Sequence, residues 1–89
     1  MKKSIQIQVT GKVQNVGFRY YTRKMANELG INGFVRNQSD GSVFIEAEGE
    51  EQALLQFTTW CHSGPTWARV EEVTVQDQPL QHFQGFTVR

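Results

Sequence analysis

The chain has 89 residues with nine basic and nine acidic side chains, so its formal net charge is zero. This length fits one domain, assigned to residues 1–89, and excludes a second. A single cysteine, Cys61, excludes an intrachain disulfide, and no apolar run is long enough for a secretory leader or a membrane span, so we expect a cytoplasmic protein.

Charge is distributed unevenly along the chain. Residues 1–27 contain six basic side chains and no acidic one, whereas the remainder has three basic and nine acidic side chains. Nucleic-acid binding usually calls for a basic excess over a whole domain. The asymmetry therefore favours a small anionic ligand near the N-terminal half.

The first predicted element is a strand over Ser4 to Thr10, in which apolar and polar residues alternate. A glycine-flanked run, from Gly11 to Arg19, follows it and leads into a helix. Main-chain N–H groups at a helix N-terminus have no intrahelical partner and lie at the positive end of the helix dipole. Arg19 adds a permanent charge and a planar set of donors, so this run predicts a site for phosphate or carboxylate.

Two other interpretations of this run fit less well. Gly11 and Gly17 are six positions apart, whereas the Walker A phosphate loop needs five, and Phe18 and Arg19 stand where that loop has Lys and then Ser or Thr. The aromatic and basic residues over 17–21 faintly resemble the base-stacking strand of RNA-recognition modules. The helical spacing that follows argues against a strand.

The remaining elements are predicted from periodicity and from turn residues. One helix spans Tyr20 to Leu29 and ends at Gly30, and a second starts after Gly49, with Glu50 and Glu51 in its first turn, and ends at Gly64-Pro65. The predicted strands cover 33–37, 42–48, 68–76 and 86–88, and Asp40-Gly41 forms the turn between the first two of these.

The order of these elements predicts an α+β fold, the ferredoxin-like split β-α-β sandwich, with two helices packed on an antiparallel sheet of four to five strands. In that topology the first and second strands run in the same direction with the third between them, so their C-terminal ends share one edge of the sheet. We therefore expect the loop that ends at Arg19 to be a neighbour of Asn37.

Two segments of the chain resemble the acylphosphatase family. The family signature Gly-x-Val-Gln-Gly-Val-Gly-Phe-Arg is matched by Gly11, Val13, Gln14, Val16, Gly17, Phe18 and Arg19. The second segment, Gly33 to Asn37, supplies an asparagine at the corresponding distance, and similar residues continue along essentially the whole chain. Asn15 departs from the pattern because the family usually has glycine there, but asparagine tolerates positive φ, so we expect the loop to be preserved.

The resemblance implies a metal-independent hydrolase, without a cofactor, that converts acyl phosphates to a carboxylate and inorganic phosphate. It implies that Arg19 and Asn37 are catalytic, Arg19 by holding the phosphoryl group and Asn37 by positioning the attacking water. The phosphate-binding residues would be Gln14, Asn15, Val16, Gly17, Phe18 and Arg19. The expected partners are a small acyl phosphate and inorganic phosphate or other small anions, with no nucleic acid and no membrane, and we expect a monomer.

Two alternatives to an enzyme stay open at this point. One is a non-catalytic domain that binds small anions. The other is an RNA-binding sheet surface, which is the weaker one because the strands present aliphatic residues on one face and mainly glutamine on the other.

Several other residues that could take part in binding or chemistry are predicted to have only structural roles. Phe18 and Thr22 are expected to pack in the core, and Cys61 is expected to be a packed thiol. His62 and His82 have no partners at metal-ligand spacing.

Overall fold

A computed structural model describes residues 1–89. Seven elements follow one another along the chain: β1 (Lys2–Lys12), α1 (Phe18–Leu29), β2 (Asn32–Asn37), β3 (Val43–Glu50), α2 (Glu51–Ser63), β4 (Arg69–Gln78) and β5 (Phe86–Val88). The predicted order of strands and helices is confirmed. Neither helix has the length and hydropathy needed to cross a bilayer.

The five strands form one sheet in the order β4-β1-β3-β2-β5. β3 lies between β1 and β2 and is antiparallel to both, so β1 and β2 run in the same direction. This is the strand arrangement of the predicted ferredoxin-like fold. It brings the C-terminal ends of β1 and β2 to the same edge of the sheet.

The fifth strand corrects the prediction of an antiparallel sheet, because β5 pairs with β2 in parallel. β4 is antiparallel to β1, so the C-terminal end of β4 lies level with the N-terminal end of β2. After β4 the chain crosses this end of the sheet in only seven residues, 79–85, and starts β5 beside the beginning of β2. β5 therefore runs in the direction of β2, and the sheet is mixed.

The ends of the helices differ slightly from the predicted ones. α1 starts two residues earlier than predicted, at Phe18, directly after Gly17 in the left-handed conformation. Glu50 was expected in the first turn of α2, but it is the last residue of β3 and pairs there with Lys2. The acid in the first turn is Glu51, whose carboxylate lies 2.7 Å from the ammonium group of Lys3.

The hydrophobic core lies between the sheet and the two helices. Each fully buried aliphatic or aromatic side chain there contributes about 1.5–3 kcal/mol by its removal from water. The ring of Phe18 is 5.5 Å from that of Trp60, which anchors the start of α1 on α2. Thr22 is fully buried and donates a hydrogen bond of 2.7 Å to the main-chain oxygen of Phe18. Both residues therefore have the packing roles that their sequence context predicted.

The sheet face opposite the helices is more aromatic than predicted. Phe34 and Phe44 alternate with core residues and so lie on this face, with ring centroids 6.1 Å apart. The guanidinium group of Arg36 lies 4.9 Å from the ring of Phe44. Phe83 and Arg89 cover Phe34, which is buried. The description of this face as mainly glutamine is therefore wrong for β3.

Candidate active site

The loop between β1 and α1 presents a series of main-chain N–H groups that have no partner in the chain. None of the N–H groups from Gln14 to Tyr20 donates a hydrogen bond to another main-chain group. Asn15 has φ 63° and Gly17 has φ 80°, both in the left-handed region. Successive N–H groups in such alternating conformations form concave anion-binding sites, and here the N-terminus of α1 adds its positive dipole. The asparagine at position 15 adopts the positive φ that was expected of it.

A cleft of about 370 Å³ opens beside this loop. Its lining residues come from the loop, from α1 and from the ends of β2 and β5: Val13, Asn15, Gly17, Phe18, Arg19, Tyr20, Arg23, Asn37 and Val88. Two arginines and no carboxylate are among them. The cleft is therefore electropositive, which suits an anionic ligand.

Arg19 is held in the cleft by the chain that follows β5. Its Nη1 atom donates a hydrogen bond of 2.9 Å to the main-chain oxygen of Arg89. The N–H group of Arg89 in turn donates to the main-chain oxygen of Val35, at 2.8 Å, which ties Arg89 to β2. This bond uses one of the five N–H donors of the guanidinium group and leaves the others for a ligand.

Asn37 is the last residue of β2 and lines the same cleft as Arg19. The two residues are far apart in sequence, and the shared edge of β1 and β2 brings them together. Their predicted proximity is therefore observed.

The side chain of Gln14 connects the loop to the turn after Asn37. Its Nε2 atom donates to the main-chain oxygens of Gln38, at 2.7 Å, and of Ser42, at 2.9 Å. Inside the turn, the Asp40 carboxylate accepts hydrogen bonds from Oγ and N of Ser42, and these bonds hold the pKa of Asp40 below its usual value. The turn that follows Asn37 is thus held by hydrogen bonds between its own residues and by the two hydrogen bonds from Gln14 in the loop.

The structure places the sequence-predicted residues in two groups. Asn15, Gly17, Phe18, Arg19 and Asn37 line the cleft. The side chains of Gln14 and Val16 do not: that of Gln14 binds the turn, and that of Val16 packs against the core.

Sequence reasoning missed four lining residues, Val13, Tyr20, Arg23 and Val88. Arg23 could have been found from its position four residues after Arg19, since such residues are neighbours on a helix. Val88 could not, because its place depends on the direction of β5.

The other reactive side chains lie outside the cleft. Cys61 is buried in the core, and burial raises the pKa of its thiol to about 12. His62 is exposed, with Nδ1 3.0 Å from the main-chain oxygen of Thr58 in the preceding turn. No three His, Cys, Asp or Glu side chains are grouped in a way that could hold a metal ion.

Comparison with known proteins points to one family over nearly the whole length. The family model described as Acylphosphatase matches residues 5–88. A Nocardioides protein named acylphosphatase is 45% identical over 89 residues, covering 100% of this chain and 90% of its own. One from Thermotoga petrophila is 46% identical and covers 98% of this chain and 97% of its own.

A solved structure agrees with these sequence matches. The acylphosphatase structure from Coxiella burnetii superposes with a TM-score of 0.96 at 38% identity, covering 99% of this chain and 93% of that one. Fold, sequence and loop thus lead to the same assignment: the chain belongs to the acylphosphatase family.

Proposed function

We propose that this protein hydrolyses acyl phosphates to a carboxylate and inorganic phosphate in the cleft beside the β1–α1 loop. The observation that carries the proposal is that Arg19 and Asn37 line one cleft with a loop whose N–H groups have no partner in the chain. Membership of the acylphosphatase family supports the same reaction.

The loop and Arg19 hold the phosphoryl group in this proposal. N–H groups that are already oriented bind the equatorial oxygens without reorganisation as charge develops on them. The guanidinium group of Arg19 adds charge-assisted hydrogen bonds, and the bond that it donates to the main-chain oxygen of Arg89 fixes its orientation. The substrate is thus bound where negative charge has to be stabilised.

Asn37 positions the water that attacks phosphorus. Its side-chain amide can both accept a hydrogen bond from water and donate one to the phosphoryl group. Attack forms a new P–O bond as the bond between phosphorus and the acyl oxygen breaks, and the electron pair leaves with the carboxylate. Carboxylic acids have pKa values near about 4, so this leaving group needs no general acid at neutral pH. Positioning and charge stabilisation therefore suffice.

The proposed partners are small molecules. The substrate is an acyl phosphate, and inorganic phosphate is the product and a competitive inhibitor. We further propose that the protein acts as a monomer in the cytoplasm, since all the lining residues come from one chain and a single cysteine calls for no oxidising compartment.

Turnover of benzoyl phosphate in EDTA, with and without Arg19, tests the proposal. The unaltered protein is expected to hydrolyse benzoyl phosphate. The rate with Arg19→Ala is expected to be lower by a factor of about 10³–10⁵, the range for an arginine that stabilises a transferring phosphoryl group. Lys24→Ala removes an exposed charge from the same helix and serves as the control. Phosphate binding without turnover in the folded parent would favour a non-catalytic anion-binding domain instead.

A further inference from the structure

Arg23 is a second arginine in the cleft, and phosphoryl binding by the loop and Arg19 does not account for it. It lies one helical turn beyond Arg19, and side chains four residues apart on a helix have Cβ atoms about 6 Å apart. Both therefore project from the same face of α1 toward the bound substrate.

The guanidinium group of Arg23 is unpartnered. The side chain is exposed, and the two ion pairs in the chain join Met1 to Glu50 and Lys3 to Glu51 instead. Arg19, by contrast, already donates to Arg89. No Asp or Glu lines the cleft, so the donors of the Arg23 guanidinium group are available to a ligand.

Two other lining residues of the cleft suit a carbon skeleton. The phosphoryl end is formed by the loop and Arg19. Tyr20 and Val88 add apolar surface, and Tyr20 precedes Arg23 by three residues on the helix. The cleft that takes the phosphoryl group thus also offers an acyl group an aromatic ring and a second cation.

We propose that Arg23 binds a second oxyanion on the acyl part of the substrate, so that the preferred acyl phosphates carry a carboxylate or a similar group beyond the reacting carbonyl. A guanidinium group matches a carboxylate through two parallel hydrogen bonds. The inference rests on the proposed function, because it assigns the acyl end of the same substrate.

A simpler role for Arg23 is to attract any phosphoryl dianion into the cleft. That role depends only on the charge at position 23 and is kept by Arg23→Lys, whereas recognition of a second oxyanion requires the planar pair of donors. The preference between two substrates, measured in both Arg23→Gln and Arg23→Lys, therefore separates the two roles.

The test compares kcat/KM for 3-carboxybenzoyl phosphate and benzoyl phosphate in the parent, Arg23→Gln and Lys24→Gln. The parent is expected to prefer the carboxylated substrate, and Arg23→Gln is expected to lower that preference about tenfold, mainly through KM, as loss of a charge-assisted hydrogen bond does. Lys24→Gln removes the neighbouring charge outside the cleft and should keep the ratio. The preference of Arg23→Lys for the carboxylated substrate should lie between those of the parent and Arg23→Gln, because an ammonium group lacks the planar pair of donors.

An equal fall in kcat/KM for both substrates in Arg23→Gln would overturn the inference and leave the proposed function intact. If neither acyl phosphate is hydrolysed, a binding experiment still tests the role of Arg23 separately from the proposed function. Titration calorimetry with benzoylphosphonate and 3-carboxybenzoylphosphonate, which cannot be cleaved in this way, should show the same Arg23-dependent preference. Equal affinities in the parent would contradict the role of Arg23 whether or not the protein is an enzyme.

Discussion

Gln14 links the two halves of the cleft through a single side-chain amide. Its two acceptors, the main-chain oxygens of Gln38 and Ser42, belong to the turn that directly follows Asn37. The loop that carries Arg19 and the strand end that carries Asn37 are therefore held at a fixed separation. In the proposed mechanism, a small change in this separation would move the attacking water relative to the phosphoryl group.

Gln14→Ala is expected to weaken both stability and catalysis. Two hydrogen bonds are lost, at about 0.5–1.5 kcal/mol each in the free energy of unfolding, although both main-chain oxygens keep a second donor, the N–H groups of Gly41 and Gln38. Misplacement of Asn37 should lower kcat by about tenfold to 10²-fold. Urea unfolding and benzoyl phosphate kinetics measure the two effects, and Gln56→Ala on the exposed face of α2 is the control. An unchanged kcat in the folded Gln14→Ala variant would contradict the positioning role.

The conformation of a single residue was predictable from sequence where it depends only on neighbouring residues in the chain. The positive φ of Asn15 follows from its place in the loop and from the tolerance of asparagine for that region. The role of the Gln14 side chain did not follow, because its partners lie 24 and 28 residues away and meet it only after the sheet has formed.

At the level of elements, Glu48 holds the segment between β4 and β5. Its carboxylate accepts hydrogen bonds from the N–H groups of Gln81, at 2.6 Å, and Phe83, at 3.1 Å. Burial raises the pKa of Glu48, but these bonds outweigh burial and keep the pKa below its usual value. The anchored segment leads to Val88 in the cleft and to Arg89, which binds Arg19.

The Glu48 carboxylate should make stability depend on pH. Its folded-state pKa lies below the unfolded value, so its contribution is present above the unfolded pKa, near 4.5, and is lost as pH falls through the folded pKa. Glu48→Gln is expected to lower the free energy of unfolding by about 1–3 kcal/mol at pH 7 and by less in acid. Urea unfolding from pH 7 to pH 3 measures this, with exposed Glu72→Gln as the control. The same difference from the parent at every pH would contradict the account.

The elements themselves were predictable because alternation and helical spacing are strong along most of the chain. Ile5, Ile7 and Val9 alternate into the core as expected. The direction of β5 was not predictable from its three residues, since it depends on β4 ending level with the start of β2. Glu50 was misplaced because pairing with Lys2 keeps it in β3.

For the whole molecule, the core that joins both helices to the sheet also contains the chain's one thiol. Cys61 is fully buried on α2. The reactive species in thiol chemistry is the thiolate, and a pKa of about 12 leaves almost none at neutral pH. Modification of Cys61 therefore requires that the core open.

Labelling of Cys61 should report on global unfolding. We expect iodoacetamide to modify it at pH 7.5 only at the rate set by opening of the core, and the rate should rise with urea as the free energy of unfolding falls. Mass spectrometry during a urea series measures this rate. Rapid labelling in the absence of urea would show that α2 opens independently of the rest.

In the proposed mechanism, different residues bind the phosphoryl group and position the attacking water: the loop and Arg19 do the first, and Asn37 does the second. The most direct measurement is the kcat for benzoyl phosphate beside the Kd for inorganic phosphate in the parent and in Asn37→Ala. We expect kcat to fall by about 10²-fold while phosphate affinity changes far less. A loss of phosphate affinity as large as the loss of kcat, or an unchanged kcat, would contradict it.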